Sequence, residues 1–176
     1  MENNVNYTKD DAYRTLNIIN EWIRSSDTKT SILLGFISLL LGFTLTVFNG
    51  ITYIKELEKV NFLAVVIVLL LIVYILAAAV AVVCCCLSLI ARLKTNKIQS
   101  SSIFYFGHIA NSTKEDYISK TSKTTEADIL KDIKNQIVIN SRIAKRKFQH
   151  FNHALIASMV LFFCSITLLL IVYLAI

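Results

Sequence analysis

The sequence predicts an all-α integral membrane protein, with three transmembrane helices and a small helical cytosolic portion. That portion is built from the N-terminal helix and the loop between spans two and three. Three observations predict this. The runs Ser31–Gly50, Phe62–Ile90 and Ala154–Ile176 contain no Asp, Glu, Lys or Arg. About 20 such residues, rising 1.5 Å each, cross a hydrocarbon core of ~30 Å. The runs are also unbroken, where a soluble helix or strand would alternate apolar and polar residues, so lipid is their solvent. Finally, the 176 residues include no proline and only four glycines, which leaves few points at which a long helix must break.

Residues 1–30 read as a cytosolic N-terminal helix. They are polar and of mixed charge, without the apolar core of a cleavable signal peptide, so the first span is an uncleaved anchor. Thr8-Lys9-Asp10-Asp11 matches a capping box that starts the helix. Leu16, Ile19 and Ile23 share a face, with Trp22 beside them, and the helix runs on through Arg24-Ser25-Ser26-Asp27-Thr28-Lys29. In the first span, 31–50, the small residues Ser31, Gly35, Ser38, Gly42 and Thr46 recur on one face and admit a close neighbour. Residues 51–61 form a short external loop. The second span, 62–90, would be about 43 Å long, so it tilts or emerges through Arg92 and Lys94. Its small residues are Ala77, Ala81, Cys85 and Ser88.

The cytosolic region 91–152 holds a second helix capped by Thr125, with Leu130, Ile133, Ile137, Ala144 and Phe148 as its apolar stripe. No breaker separates this helix from the third span, 153–176, so a single rod of about 50 residues is expected. Ser100–Thr124 reads as shorter and more irregular, and carries the densest aromatic cluster, Ile103-Phe104-Tyr105-Phe106-Gly107-His108-Ile109. Ala154, Ser158 and Ser165 are the small residues of the third span. The three stripes either bury each other within one chain or pair different chains. Three spans seldom enclose a pathway alone, so a homo-oligomer is expected.

Charge sets the expected orientation. The stretch 91–153 holds twelve Lys and Arg against five Asp and Glu, a balance of +7 in a chain whose net charge is +6. The first connection holds Lys55 and Lys59 against Glu56 and Glu58. The long loop and the N-terminus therefore face the cytoplasm and the C-terminus lies outside. On that side neither Asn6-Tyr7-Thr8 nor Asn111-Ser112-Thr113 is a glycosylation site.

Several classes are excluded by what is missing. The runs carry no acid or base for a proton relay. There are no Gly/Pro-broken half-helices of the transporter type and no selectivity-filter segment. No Gly-rich phosphate loop, His-Glu-x-x-His or Gly-x-Ser-x-Gly is present, so the chain reads as a non-enzyme without metal or cofactor. Cys84, Cys85 and Cys86 point about 100° apart on a helix, so they cannot converge on one zinc ion and, with Cys164, read as packing residues. His150 and His153 read as interfacial. Arg142, Lys145, Arg146 and Lys147 either hold the inner interface against anionic lipid, at about 1 kcal/mol each, or bind a phosphate group. The aromatic cluster is either an apolar plug or a platform on which a nucleobase stacks.

The order of short motifs adds to this. Glu21-Trp22-Ile23-Arg24-Ser25-Ser26-Asp27-Thr28-Lys29 abuts a span, and a second span follows. Then come Phe104-Tyr105-Phe106-Gly107-His108-Ile109-Ala110 and Glu115-Asp116-Tyr117. Last, Asn140-Ser141-Arg142-Ile143-Ala144-Lys145-Arg146-Lys147-Phe148 leads into the final span. Over nearly its whole length the chain resembles the transmembrane effector family of the Pycsar antiphage system, with Ser26 where relatives often have Ala. The resemblance implies that the cytosolic region is a sensor for a cyclic pyrimidine mononucleotide, cCMP or cUMP, made by a partner pyrimidine cyclase after infection. It implies that the effector then impairs the inner membrane and the cell stops growing before phage mature, which is abortive infection. The expected partners are membrane lipid, the nucleotide, the cyclase and further copies of the chain, and no nucleic acid. A non-enzymatic anchor or assembly subunit for a soluble partner is the alternative. Under the nucleotide reading the candidate ligand residues are Phe106 and His108 near the base and Arg142, Lys145 and Lys147 for the phosphate. Asn140 and Ser141 would serve sugar or base, with Asp27 and Lys29 close by. An Asp27–Lys147 pair that only locks helices is an equal reading.

Overall fold

The computed structural model describes residues 7–52, 62–90 and 102–175, with the side chains of 46–52, 106 and 175 outside that description. Among the described residues five helices follow in order: α1 (Lys9–Thr52), α2 (Phe62–Leu89), α3 (Phe106–Ala110), α4 (Lys114–Lys123) and α5 (Glu126–Ala175). No strand occurs among the described residues. The chain divides into two compact units, one of Met1–Arg24 with Ala91–Lys145 and one of Ser25–Ile90 with Arg146–Ile176. Helices α1 and α5, of 44 and 50 residues, each contribute to both.

In the second unit the buried residues repeat at steps of three, four and, once in α1, seven, which places them on one line of each helix. In α1 the line is Ser26, Thr30, Leu33, Ile37 and Thr44, and in α2 it is Tyr74, Ala78, Ala81, Cys85 and Ser88. In α5 it is Ala154, Ala157, Leu161, Cys164 and Leu168. Small residues sit where the helices come closest: Ala81, Cys85 and Ala154 are fully covered and pack with Leu33 and Ile37. Near the other end the Tyr74 hydroxyl donates to the Leu40 carbonyl and accepts from Thr44 Oγ1 at 2.6 Å, so a polar atom among apolar neighbours is satisfied. Away from these lines lie exposed Leu39, Leu45, Phe62, Val65, Ile75, Leu76 and Phe163. An apolar belt of that extent is unsuited to water. Among the described residues three helices, α1, α2 and α5, contain a stretch long and apolar enough to cross a membrane, so the chain is a multi-pass membrane protein.

The first unit is smaller and its helices start on side-chain caps. Thr8 and Asp11 exchange a reciprocal pair: the Thr8 amide and hydroxyl donate to Asp11 Oδ2, and the Asp11 amide donates to Thr8 Oγ1. Thr125 and Asp128 repeat the arrangement at the start of α5. In both, hydrogen bonds from threonine hold the aspartate pKa below its ordinary value. Ala12, Ile19, Ile133 and Ala144 form the covered apolar positions. Asn140 donates to Asn20 at 2.8 Å and Lys9 pairs with Glu126 at 3.8 Å, tying α1 to α5 within this unit.

The stretch 100–124 departs from the irregular segment expected. It contains α3 and α4, the latter started by Thr113, whose hydroxyl accepts from the Asp116 amide. No residue of α4 is buried, so it offers no apolar periodicity for a sequence to reveal. The expected continuation of the second span through Arg92 and Lys94 lies outside the described residues. So do most of the loop 51–61, expected to be external, and the side chain of Thr46.

Candidate functional site

Within the membrane unit the chain buries a charge. Lys147, on α5, is 7% exposed, and its ammonium donates to the Asp27 carboxylate on α1 at 2.5 Å and to the Ser88 carbonyl on α2 at 2.9 Å. Ser88 lies in the last turn of α2, where carbonyls have no intrahelical donor, so the lysine caps that helix and meets the negative end of its dipole. The Ser88 hydroxyl donates back to the Lys147 carbonyl, and Thr30 Oγ1 donates to the Ser26 carbonyl. The two hydroxyls also lie 3.0 Å apart. Three helices are joined at one level by side chains that would be costly to bury separately. One atom stays outside this accounting: Ser26 Oγ is buried and has no hydrogen-bond partner among the described residues.

The first unit has its own joint. Ser102 is 4% exposed, and its hydroxyl donates to Asp132 Oδ2 at 2.8 Å while accepting from Gln136 Nε2 and the Phe104 amide. The Ile103 amide donates to the same Asp132 oxygen at 2.9 Å, and the Tyr117 hydroxyl reaches the Ile103 carbonyl. The segment that enters the aromatic cluster is thereby fixed to α5. The aromatics then pair among themselves. Phe104 meets Tyr13 edge to face at 6.2 Å, and Tyr105 meets His108 at 5.3 Å. A Cβ at Gly107 would lie 2.6 Å from the Tyr105 ring, so glycine is what lets this ring fold back. His108 Nε2 is shielded and has no hydrogen-bond partner among the described residues.

The candidate residues named from sequence divide between the units. Asp27 and Lys147 come together in the polar joint, and Lys29 stands 5.9 Å from the Phe148 ring centroid in the same unit. In the first unit Asn140 is held by Asn20, the exposed Ser141 returns its hydroxyl to the Ile137 carbonyl, and His108 packs on Tyr105. Arg142 and Lys145 are exposed and form no ion pair among the described residues. Phe106 opens α3, with its side chain outside the description. Of the packing stripes, Ala77, Ala81, Cys85 and Ser88 turn toward the bundle, as do Ala154, Ser158 and Ser165. Ser31, Gly35, Ser38 and Gly42 are exposed, and a Cβ on either glycine meets nothing within 4 Å. Sequence reasoning missed the joining roles of Thr30, Ser102, Asp132 and Gln136. The available signal was a hydroxyl at Thr30 and another at Ser88, each close to a charged residue at the end of an apolar run.

The family described as the Pycsar effector protein domain matches residues 11–176. The chain belongs to the Pycsar effector family. It is 29% identical over 174 residues to the Pycsar effector protein GmPycTM of Gulbenkiania mobilis, covering 88% of this chain and 89% of that one. It is 26% identical over 165 residues to the Pycsar effector protein PtPycTM of Propioniciclava tarda, covering 90% of this chain and 77% of the other. No solved structure matches the chain. The family match runs through all three apolar helices and both units, so a Pycsar effector role in antiphage defence belongs to the whole chain.

Proposed function

We propose that this Pycsar effector senses a cyclic pyrimidine mononucleotide, cCMP or cUMP, made by a partner cyclase. It responds by impairing the inner membrane, so that the infected cell arrests. The observation that carries the reading is the family match across residues 11–176, which takes in the apolar helices and the cytosolic helices together. Two features support it. First, α1 and α5 run without a break from residues of one unit to residues of the other, so a change in helix rotation in the cytosolic unit has a continuous backbone to travel along. Second, the excess of Lys and Arg in 91–153 supports a cytoplasmic N-terminus and an external C-terminus, the side on which a cytosolic messenger is met. The exposed Ser31, Gly35, Ser38 and Gly42 support assembly with further copies.

Driving a closed–open equilibrium from 1:99 to 99:1 takes about 5.5 kcal/mol of differential affinity, which several ligands on an oligomer supply in smaller portions. Purified protein in dye-loaded liposomes tests the reading. Dye release on adding cCMP or cUMP is the expected result. Intact vesicles with both nucleotides would overturn it and favour the anchor or assembly role.

A further inference from the structure

The cytosolic unit contains a cleft of ≈ 240 Å³ where the end of α4, the start of α5 and the segment at Ile103 meet. Its lining includes Ile103, Lys120, Asp128, Lys131, Asp132 and Asn135. The last four are spaced to share one face of α5, and Lys120 lies in the last turn of α4. The polar atoms here are unequally committed. Asp128 Oδ2 is occupied by the Thr125 cap, and Lys131 lies close enough to favour its ionised form. Asp132 Oδ2 takes both the Ser102 hydroxyl and the Ile103 amide. Among the described residues Asp132 Oδ1 accepts no hydrogen bond and the Asn135 amide makes none. The cleft therefore combines two ammonium groups, two carboxylates, an acceptor oxygen, an amide with a donor and an acceptor side by side, and an apolar wall.

We propose that this cleft is where the cytosolic unit takes a cyclic nucleoside monophosphate with a pyrimidine base. The inference rests on the nucleotide-sensing reading above and adds to it a place and a charge rule. A cyclic phosphodiester carries a single negative charge, which Lys120 and Lys131 meet. Asp128 and Asp132 leave the empty cleft near neutrality, so the second charge of a linear monophosphate, or the several charges of a triphosphate, encounters carboxylates instead of further cations. Asp132 Oδ1 is the acceptor for the ribose 2′-hydroxyl, which ring closure through the phosphate leaves free. The Asn135 amide matches the adjacent donor and acceptor positions on a pyrimidine edge. The volume lies below the ~300–1,000 Å³ of drug-sized pockets, which suits a mononucleotide over a dinucleotide. A ligand held this way would bridge α4, α5 and the Ile103 segment, reinforcing the join that Asp132 makes.

The test is equilibrium binding of cCMP, cUMP, CMP and UMP to the full chain in lipid nanodiscs, with circular dichroism as a fold check. Wild type should bind at least one cyclic nucleotide and bind its linear counterpart about tenfold more weakly. Lys131→Gln and Asn135→Ala should each weaken cyclic nucleotide binding about tenfold. Both residues are exposed, so helix content should not change. Wild-type affinity in both variants would overturn the cleft, and equal affinity for linear and cyclic forms would overturn the charge rule; in either case the sensing reading stands. Failure of wild type to bind either cyclic nucleotide would overturn the sensing reading itself, and the cleft with it.

Discussion

The Lys147 joint is asymmetric, and the asymmetry makes a prediction. The lysine side chain is 8% exposed and the Asp27 side chain 40%. Removing the aspartate leaves an ammonium with one carbonyl partner in a dry place, whereas removing the lysine leaves a carboxylate that water reaches. Breaking a buried pair from one side costs ~3–5 kcal/mol, and the exposure of Asp27 lowers this. Asp27→Ala should therefore destabilise by about 2–3 kcal/mol, and Lys147→Met, which keeps the apolar stem, by about 1 kcal/mol. Thermal melts in detergent check the order, and a larger loss in the lysine variant would refute the account. Ser26 gives the opposite sign. Its hydroxyl is buried without a partner among the described residues, and such a group costs about 1–3 kcal/mol. Ser26→Ala should raise the melting temperature, and a fall would mean that the hydroxyl is satisfied after all.

At the scale of the helix, the caps predict a pH response. Asp11 and Asp128 have folded-state pKa values below the ordinary 3.8, because threonine bonds favour the ionised form. The unfolded chain then binds more protons, so the stabilising contribution is complete above that ordinary value and disappears as pH falls through the lower folded value. Amide exchange in the first turns of α1 and α5, taken relative to the intrinsic rate at each pH, should be steady near neutrality and accelerate only under acid. Thr125→Ala should accelerate it in α5 about fivefold at neutral pH and flatten the acid step. These caps were legible in the sequence because Thr8-x-x-Asp11 and Thr125-x-x-Asp128 are local, and the length of α5 was legible because nothing between Glu126 and Ala175 breaks a helix. Helix α4 was not, having no apolar face to read. The polar joint was legible only as a possible Asp27–Lys147 pair. Its bonds link residues 58 to 120 apart in sequence on three different helices, and only the packed bundle brings them to one level. The cleft escaped notice for the same reason: Ile103 and Asp132 are 29 positions apart, and single lysines on a basic segment look alike until a fold sets two of them against two carboxylates.

For the whole molecule, the first span separates intrachain packing from contacts with other molecules. Its covered line, Thr30, Leu33, Ile37 and Thr44, is already occupied by α2 and α5. The small-residue line, Ser31, Gly35, Ser38 and Gly42, lies on the exposed part of the helix. A Cβ added at Gly35 or Gly42 has open space, with nothing beyond its own helical turn within 4 Å. Gly35→Leu and Gly42→Leu should therefore leave the melting temperature of detergent-solubilised monomer unchanged or slightly raised, since glycine costs a helix interior about 1 kcal/mol relative to alanine. In liposomes the same variants should lose cCMP- or cUMP-triggered dye release if another copy packs on that line, because a leucine there holds the two backbones apart. A cysteine at Ser38 then distinguishes a protein neighbour from lipid: close approach of two copies gives an oxidised dimer from Ser38→Cys, which the added Leu at Gly42 should abolish. Release preserved in both leucine variants, with no crosslink from position 38, would mean that this face meets only lipid and that copies assemble, if they do, through another surface.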